Sequence, residues 1–181
     1  MTDLALPDTR LVTSARALVE QAAPRALLHH SIRTFLLGRA WAQKKRFAFD
    51  EEGLALAALF HDVGLVARFA DRSRPFTEAS SRALRLHLAD QGVERARIAA
   101  LTDAIELHMQ LLPRFSRGPE VGLLQVGAWM DVTGLRRWTG RADARAIAAA
   151  WPREGFGLLF PRALIGSFGS VSACTGLLFR S

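Results

Sequence analysis

Residues 57–64, Ala-Ala-Leu-Phe-His-Asp-Val-Gly, end an apolar run at helical spacing with an imidazole beside a carboxylate. Apolar surroundings disfavour a lone charged carboxylate, and proteins usually stabilise such a group with a cation and a neighbouring imidazole. Hard-to-borderline cations accept such mixed nitrogen and oxygen ligands. Alone, the segment has two interpretations, a metal site or a helix-terminal aspartate beside a hydrogen-bonded histidine.

Around this segment, apolar residues recur at three- and four-residue intervals, and no sustained alternation typical of a half-buried strand is found. The pattern predicts an all-α fold, with Asp50 as the N-cap of the helix that leads to His61. The predicted helices are Ser14–Ala22, Arg25–Gln43, Glu51–Phe69, Thr77–Gln91, Glu94–Gln110, Pro119–Val132, Ala142–Trp151 and a last one over about 162–179.

The length of 181 residues and the short connectors predict a single domain over residues 1–181. The net charge of +7 comes mostly from arginines spread singly along the chain. Because Lys44–Arg46 is the one compact basic cluster, we expect no dedicated nucleic-acid function. The excess positive charge is nevertheless suited to attracting an anionic substrate.

The single cysteine, Cys174, excludes an intramolecular disulfide and is typical of proteins in a reducing cytosol. Residues 1–7 lack the pattern of a secretory signal, and the apolar stretch 155–179 is interrupted by Pro161 and Arg162. We therefore expect a cytoplasmic protein without a membrane partner. A homodimer is a plausible assembly because two-fold oligomers are common.

Two further segments place metal-binding groups on other predicted helices. His30 is followed one turn later by Arg33, on the same helical face. Asp131 is preceded one turn earlier by Gly127 and Ala128, which leave room for a neighbouring helix to approach. The chain thus carries an ordered set of His, then His-Asp, then Asp, each on a different helix.

This ordered set resembles the HD-domain superfamily of metal-dependent hydrolases. More narrowly, the chain looks like the branch that includes cyanamide hydratase, and the resemblance covers about residues 27–134. It is carried by His30-Ser31-x-Arg33, His61-Asp62-Val63-Gly64-Leu65, Ala104-Ile105-Glu106-Leu107-His108 and Asp131-Val132-x-Gly134. The resemblance implies an HD-type helical bundle in which the metal ligands are His30, His61, Asp62 and Asp131.

Other polar residues near these segments have open roles. His108 could bind metal, hold the substrate, donate a proton or be a core histidine. Arg33 could clamp a substrate atom or neutralise a carboxylate such as Asp62. We interpret His29 as a support for a ligand or a surface residue, and His87 as a structural residue.

The expected function is a metal-dependent hydrolase or hydratase of a small molecule, with zinc as the expected cation and iron or manganese as alternatives. Asp62 would orient or deprotonate the water, and His108 or Arg33 would stabilise the developing charge. The closest resemblance implies hydration of a small nitrile such as cyanamide to urea.

Three alternatives stay open. Phosphomonoester or nucleotide hydrolysis fits the net charge, although Leu65 stands where many such enzymes carry lysine. A dinuclear oxygenase would need further histidines, and a non-catalytic helical binding module would need no metal. The Ser-rich segment 76–82 departs from the family pattern, which leaves the substrate open.

Overall fold

The computed structural model describes residues 3–134 and 140–157, which contain seven α-helices, two 3₁₀ turns and no strand. The all-α prediction is confirmed. The predicted last helix and Cys174 lie outside the described residues. The helices are α1 (Arg10–Ala22), α2 (Arg25–Lys45), α3 (Glu51–Phe60), α4 (Phe76–Asp90), α5 (Arg95–Leu107), α6 (Pro119–Thr133) and α7 (Arg141–Ala150), and the 3₁₀ turns are Val63–Leu65 and Phe115–Arg117.

Side-chain caps fix where α1 and α3 begin. The hydroxyl of Thr9 accepts a hydrogen bond from the backbone N–H of Val12. The carboxylate of Asp50 accepts one from the backbone N–H of Gly53 at 2.9 Å, which confirms the predicted N-cap. Each cap satisfies a backbone donor that the first helical turn leaves without a partner.

The helix predicted over Glu51–Phe69 is wrong beyond Phe60, where α3 ends. The chain then turns through Val63–Leu65 against the start of α4. The N–H of Gly64 donates to the hydroxyl of Ser80 at 2.8 Å, and a Cβ built on Gly64 would lie 2.1 Å from the carbonyl oxygen of Phe76. This contact with α4 ends the helix, and apolar periodicity cannot predict it.

The α3 helix is the centre of the bundle, since every residue from Gly53 to Phe60 is buried. Burying one leucine or phenylalanine side chain contributes about 1.5–3 kcal/mol. The apolar side chains of α3 therefore hold it inside the bundle, with its C-terminal end among the other helices. His61 and Asp62 follow that end and therefore lie in the interior of the bundle.

Helices α2 and α6 form the most extensive helix pair among the described residues. A Cβ built on Gly127 would lie 2.1 Å from the carbonyl oxygen of Thr34, and one built on Gly38 would lie 2.8 Å from that of Leu123. Only glycine permits such close backbone approach. The crossing brings Asp131, one turn beyond Gly127, beside the part of α2 that carries the first histidine.

Candidate metal centre

Four polar side chains from three helices meet inside the bundle. His30 lies in α2, His61 and Asp62 follow α3, and His108 follows α5. Each is exposed by 2% or less, which is uncommon for these residue types. We call these four residues the acceptor cluster, because the contacts described next direct hydrogen-bond acceptors toward one another.

His61 and His108 occupy C-cap positions, whereas the predicted helices Glu51–Phe69 and Glu94–Gln110 placed both within a helix. Nδ1 of His61 lies 2.7 Å from the carbonyl oxygen of Ala58, and Nδ1 of His108 lies 2.6 Å from that of Ile105. Since a carbonyl oxygen only accepts, both Nδ1 atoms carry the proton and donate. In the neutral rings, Nε2 then presents a lone pair.

The ring of His30 has the same tautomer for a different reason. Its Nδ1 lies 2.7 Å from Oδ2 of Asp131, and an ionised carboxylate accepts only, so Nδ1–H donates. Its Nε2 lies 3.1 Å from Nε2 of His61. Two neutral rings would bring two lone pairs together at this distance, and a shared proton or a metal cation would remove that repulsion.

Asp62 completes the cluster with a carboxylate. Oδ2 lies 3.5 Å from Nε2 of His30 and 3.4 Å from Nε2 of His61, while Oδ1 lies 3.4 Å from Nε2 of His108. These contacts lack hydrogen-bond geometry, and neither oxygen has a hydrogen-bond partner among the described residues. A buried, ionised carboxylate without a hydrogen-bond partner strongly destabilises the fold unless a positive charge lies next to it.

The electrostatics of the interior keep these groups in the protonation states that bind metal. Burial lowers the pKa of His61 to about 3, which favours its neutral form. Burial alone would raise the pKa of Asp62, but the attraction between its carboxylate and the protonated forms of His61 and His108 holds this pKa below the ordinary value. Burial alone would also raise the pKa of Asp131, but hydrogen bonds from His30 and Arg33 hold this pKa below the ordinary value.

The separations within the cluster fit a divalent cation. His30, His61 and Asp62 each offer one ligand atom, and these atoms all lie within 4.8 Å of one another. Around a tetrahedral ion with ligands at about 2.0–2.1 Å, neighbouring ligand atoms stand about 3.3 Å apart. The observed distances of 3.1, 3.4 and 3.5 Å are close to that value. The three residues can therefore hold one cation.

Asp131, the fourth predicted ligand, is outside this group of three. Its Oδ1 accepts from Nε of Arg33 at 2.8 Å, and its Oδ2 accepts from Nη2 of Arg33 at 2.8 Å. Nη1 of Arg33 donates to the carbonyl oxygens of Trp151 and Pro152, each at 3.1 Å. Arg33 thus neutralises Asp131 rather than Asp62, and four of its five N–H groups are used. Ligation by Asp131 stays a prediction.

A segment after α7 covers the far side of the histidine in α2. The ring of Phe156 stacks on His30 with 4.1 Å between centroids. Nδ1 of His29 lies 2.9 Å from the carbonyl oxygen of Pro152, and Arg153 donates to the backbone carbonyl of Asp131. We did not predict the role of Phe156, because its contact joins residues more than a hundred positions apart.

His87, Glu106 and Trp41 have contacts with residues that do not belong to the cluster. Nε2 of His87 lies 3.1 Å from the hydroxyl of Ser14, and the group of possible metal ligands in the described residues does not include this histidine. Glu106 accepts from the hydroxyl of Ser81 at 2.7 Å. Trp41 stacks on an aromatic ring of the second 3₁₀ turn and packs against the core. These contacts favour structural roles.

No helix in residues 3–134 or 140–157 is long and apolar enough to cross a membrane. No curated protein matches the chain significantly. Among protein-family models, the one described as HD domain matches residues 27–113, a span that contains the whole acceptor cluster and ends before Asp131. This match, the helical fold and the cluster together support the HD-domain superfamily for the part of the chain that carries the site.

Proposed function

We propose that the acceptor cluster binds one divalent cation and that the protein is a metal-dependent hydrolase or hydratase of a small substrate. An HD domain implies metal-dependent hydrolase-type activity in general. The observation that carries the proposal is the carboxylate of Asp62, buried without a hydrogen-bond partner among the described residues and facing three imidazole Nε2 atoms.

In this proposal His30 and His61 hold the cation through Nε2, and Asp62 holds it through its carboxylate. A cation held by these residues would supply Lewis-acid chemistry, which lowers the pKa of water and polarises a substrate. His108 lies on the other side of Asp62, with Nε2 3.4 Å from Oδ1. Since its Nδ1–H is held by the carbonyl of Ile105, Nε2 is the atom that accepts and returns a proton.

For the substrate we propose a small nitrile, with cyanamide hydrated to urea as the first candidate. The support is the likeness of the His30 and His61 segments to the cyanamide hydratase branch and the burial of the cluster, whose members are exposed by 2% or less. A phosphomonoester is the second candidate, favoured by the net charge of +7. Against it, the buried guanidinium next to the site is already paired with Asp131.

The first experiment is elemental analysis of the purified protein and of the H61A and H87A variants. We expect about one equivalent of zinc, iron or manganese in the wild type and in H87A, whose histidine bonds to Ser14 outside the cluster. H61A should lose the cation. No cation in the wild type after reloading with each metal would overturn the proposal.

A second experiment separates His108 from the ligands and tests the substrates. We expect H108Q to keep its cation while turnover of the active substrate falls about 10²-fold or more, as for loss of a general acid or base. Cyanamide and an aryl phosphate are the two substrates to compare. Loss of the cation in H108Q would make His108 a ligand, and turnover of the aryl phosphate alone would replace the nitrile.

A further inference from the structure

Asp131 is bonded on both oxygens to the residues of α2 that support the cluster. Oδ2 accepts from Nδ1 of His30 at 2.7 Å and from Nη2 of Arg33 at 2.8 Å, and Oδ1 accepts from Nε of Arg33 at 2.8 Å. We infer that Asp131 is a positioning residue that orients His30 as a pair with Arg33, and is not itself a metal ligand. This inference rests on the cation site proposed above.

The first argument is competition for the carboxylate. A bidentate arginine pair is among the strongest contacts that a carboxylate makes in a protein. Arg33 is 1% exposed, so any movement of Asp131 that broke this pair would leave a buried guanidinium without its counterion. The side chain also lies on the Nδ1 side of the His30 ring, whereas the cluster lies on the Nε2 side.

The second argument is that the backbone and Arg33 hold Asp131 where it is. One turn before Asp131, Gly127 brings α6 against the carbonyl of Thr34 in α2 so closely that no Cβ fits. Arg33 is in turn held by the carbonyl oxygens of Trp151 and Pro152. Moving the Asp131 carboxylate onto the cation would therefore break its bonds to His30 and to Arg33, which is itself anchored to the segment after α7.

The third argument is chemical. A histidine that ligates through Nε2 commonly donates its Nδ1–H to a carboxylate, which fixes the tautomer and ring orientation and raises the basicity of Nε2. In His61 and His108, hydrogen bonds from Nδ1–H to backbone carbonyl oxygens of the same segment fix the same tautomer. His30 lies within a continuous helix, so a side chain from α6 supplies the acceptor instead.

The test is the cation affinity of D131N, R33Q and the double variant R33Q/D131N, measured by titration of the metal-free proteins with Co²⁺. The matched control is R39Q, because Arg39 is a second buried arginine of α2 and is paired with Asp3 and Glu51 away from the cluster. We expect each single variant to keep one equivalent and to bind about 10- to 100-fold more weakly, as after loss of an outer-shell partner. R39Q should bind like the wild type.

Two further results test whether Asp131 and Arg33 act as one pair and whether Asp131 is a ligand. We expect the double variant to bind no more weakly than the weaker single variant, because both residues act through one pair. We also expect D131N saturated with Co²⁺ to keep the wild-type visible absorption, since its ligands are unchanged. A changed spectrum in D131N, with unchanged or tighter binding in R33Q, would make Asp131 a ligand and overturn the inference.

A measurement on the unaltered protein covers the case in which a variant does not fold. In the Zn²⁺-loaded wild type, proton–nitrogen NMR should show Nδ1–H of His30 retained and strongly hydrogen-bonded, with Nε2 bound to the cation. Absence of that proton would overturn the inference while leaving the cation site in place. If the wild type binds no cation at all, the proposed function fails first, and elemental analysis reports that separately.

Discussion

The two sides of the His30 ring have opposite chemical surroundings, although both are buried. On the Nδ1 side, the carboxylate of Asp131 accepts three hydrogen bonds and is neutralised by Arg33. On the Nε2 side, the carboxylate of Asp62 has no hydrogen-bond partner among the described residues and faces imidazole nitrogens. Burial is thus the same for the two aspartates, and hydrogen-bond satisfaction is what distinguishes them.

This difference separates a supporting role from a binding role. Buried polar groups in folded proteins are nearly always hydrogen-bonded, so an exception needs a specific explanation. A cation explains Asp62, because it supplies the positive charge that the three imidazoles cannot supply while neutral. Asp131 needs no such explanation. The same substitution at the two aspartates should therefore have opposite effects on the metal-free protein.

The largest expected effect is that of D131N on stability. The substitution leaves the guanidinium of Arg33, 1% exposed, without its counterion. Removing one partner of a buried ion pair costs about 3–5 kcal/mol. We expect the free energy of unfolding of the metal-free protein, measured by urea denaturation, to fall by that amount. R33Q/D131N should recover part of the loss, and a D131N protein as stable as the wild type would contradict the pairing.

The next largest effect is expected for G127A. This variant tests whether the close approach of α2 and α6 maintains the pair of Asp131 and Arg33. The added Cβ would meet the carbonyl oxygen of Thr34 at 2.1 Å, so α2 and α6 must separate. We expect a loss of about 3 kcal/mol, at the upper end of the range for overpacking. In the control G122A, the nearest atoms belong to the ring of Phe115, which can move. Equal losses in urea denaturation would contradict the role given to the backbone contact.

The D62N variant tests the other side of the comparison. Asparagine has nearly the same shape as aspartate but carries no charge, so the variant buries no carboxylate beside the Nε2 atoms of the cluster. We expect the metal-free variant to be more stable than the metal-free wild type by about 2 kcal/mol, because a buried unsatisfied group is removed. The variant should bind no cation. A destabilised D62N would mean that the carboxylate already has a partner.

The smallest expected effect, taken per pH unit, is a pH dependence that arises from His61. Its pKa is about 3 in the folded protein, against an ordinary value of 6.5, so between these values the unfolded chain binds more protons. Stability is then fully present above pH 6.5 and is lost as the pH falls, by about 1.4 kcal/mol per unit. Urea denaturation of the metal-free protein between pH 4.5 and 6.5 measures this slope. An H61N variant should lose it, and an unchanged slope would contradict a neutral buried His61.

Much of the fold was predictable because it is encoded over short stretches of sequence. Periodicity predicted the seven observed helices to within a few residues at most ends, and the Asp50 cap is confirmed. The adjacency of His61 and Asp62 at the end of an apolar run also placed them inside the bundle correctly. The main error was the end of α3, which a contact between Gly64 and α4 decides.

The candidate site was also predictable only in part from the sequence. The sequence by itself determined which residue types could meet, because helical periodicity and the His-Asp adjacency depend on neighbours within one or two turns. Only the tertiary structure decided their partners: Arg33 lies 98 positions from Asp131 and pairs with it, while Asp62 stays unsatisfied among the described residues. The physical reason is that hydrogen bonds are set by distance and direction between packed helices, and these are fixed by contacts such as that of Gly127 with Thr34.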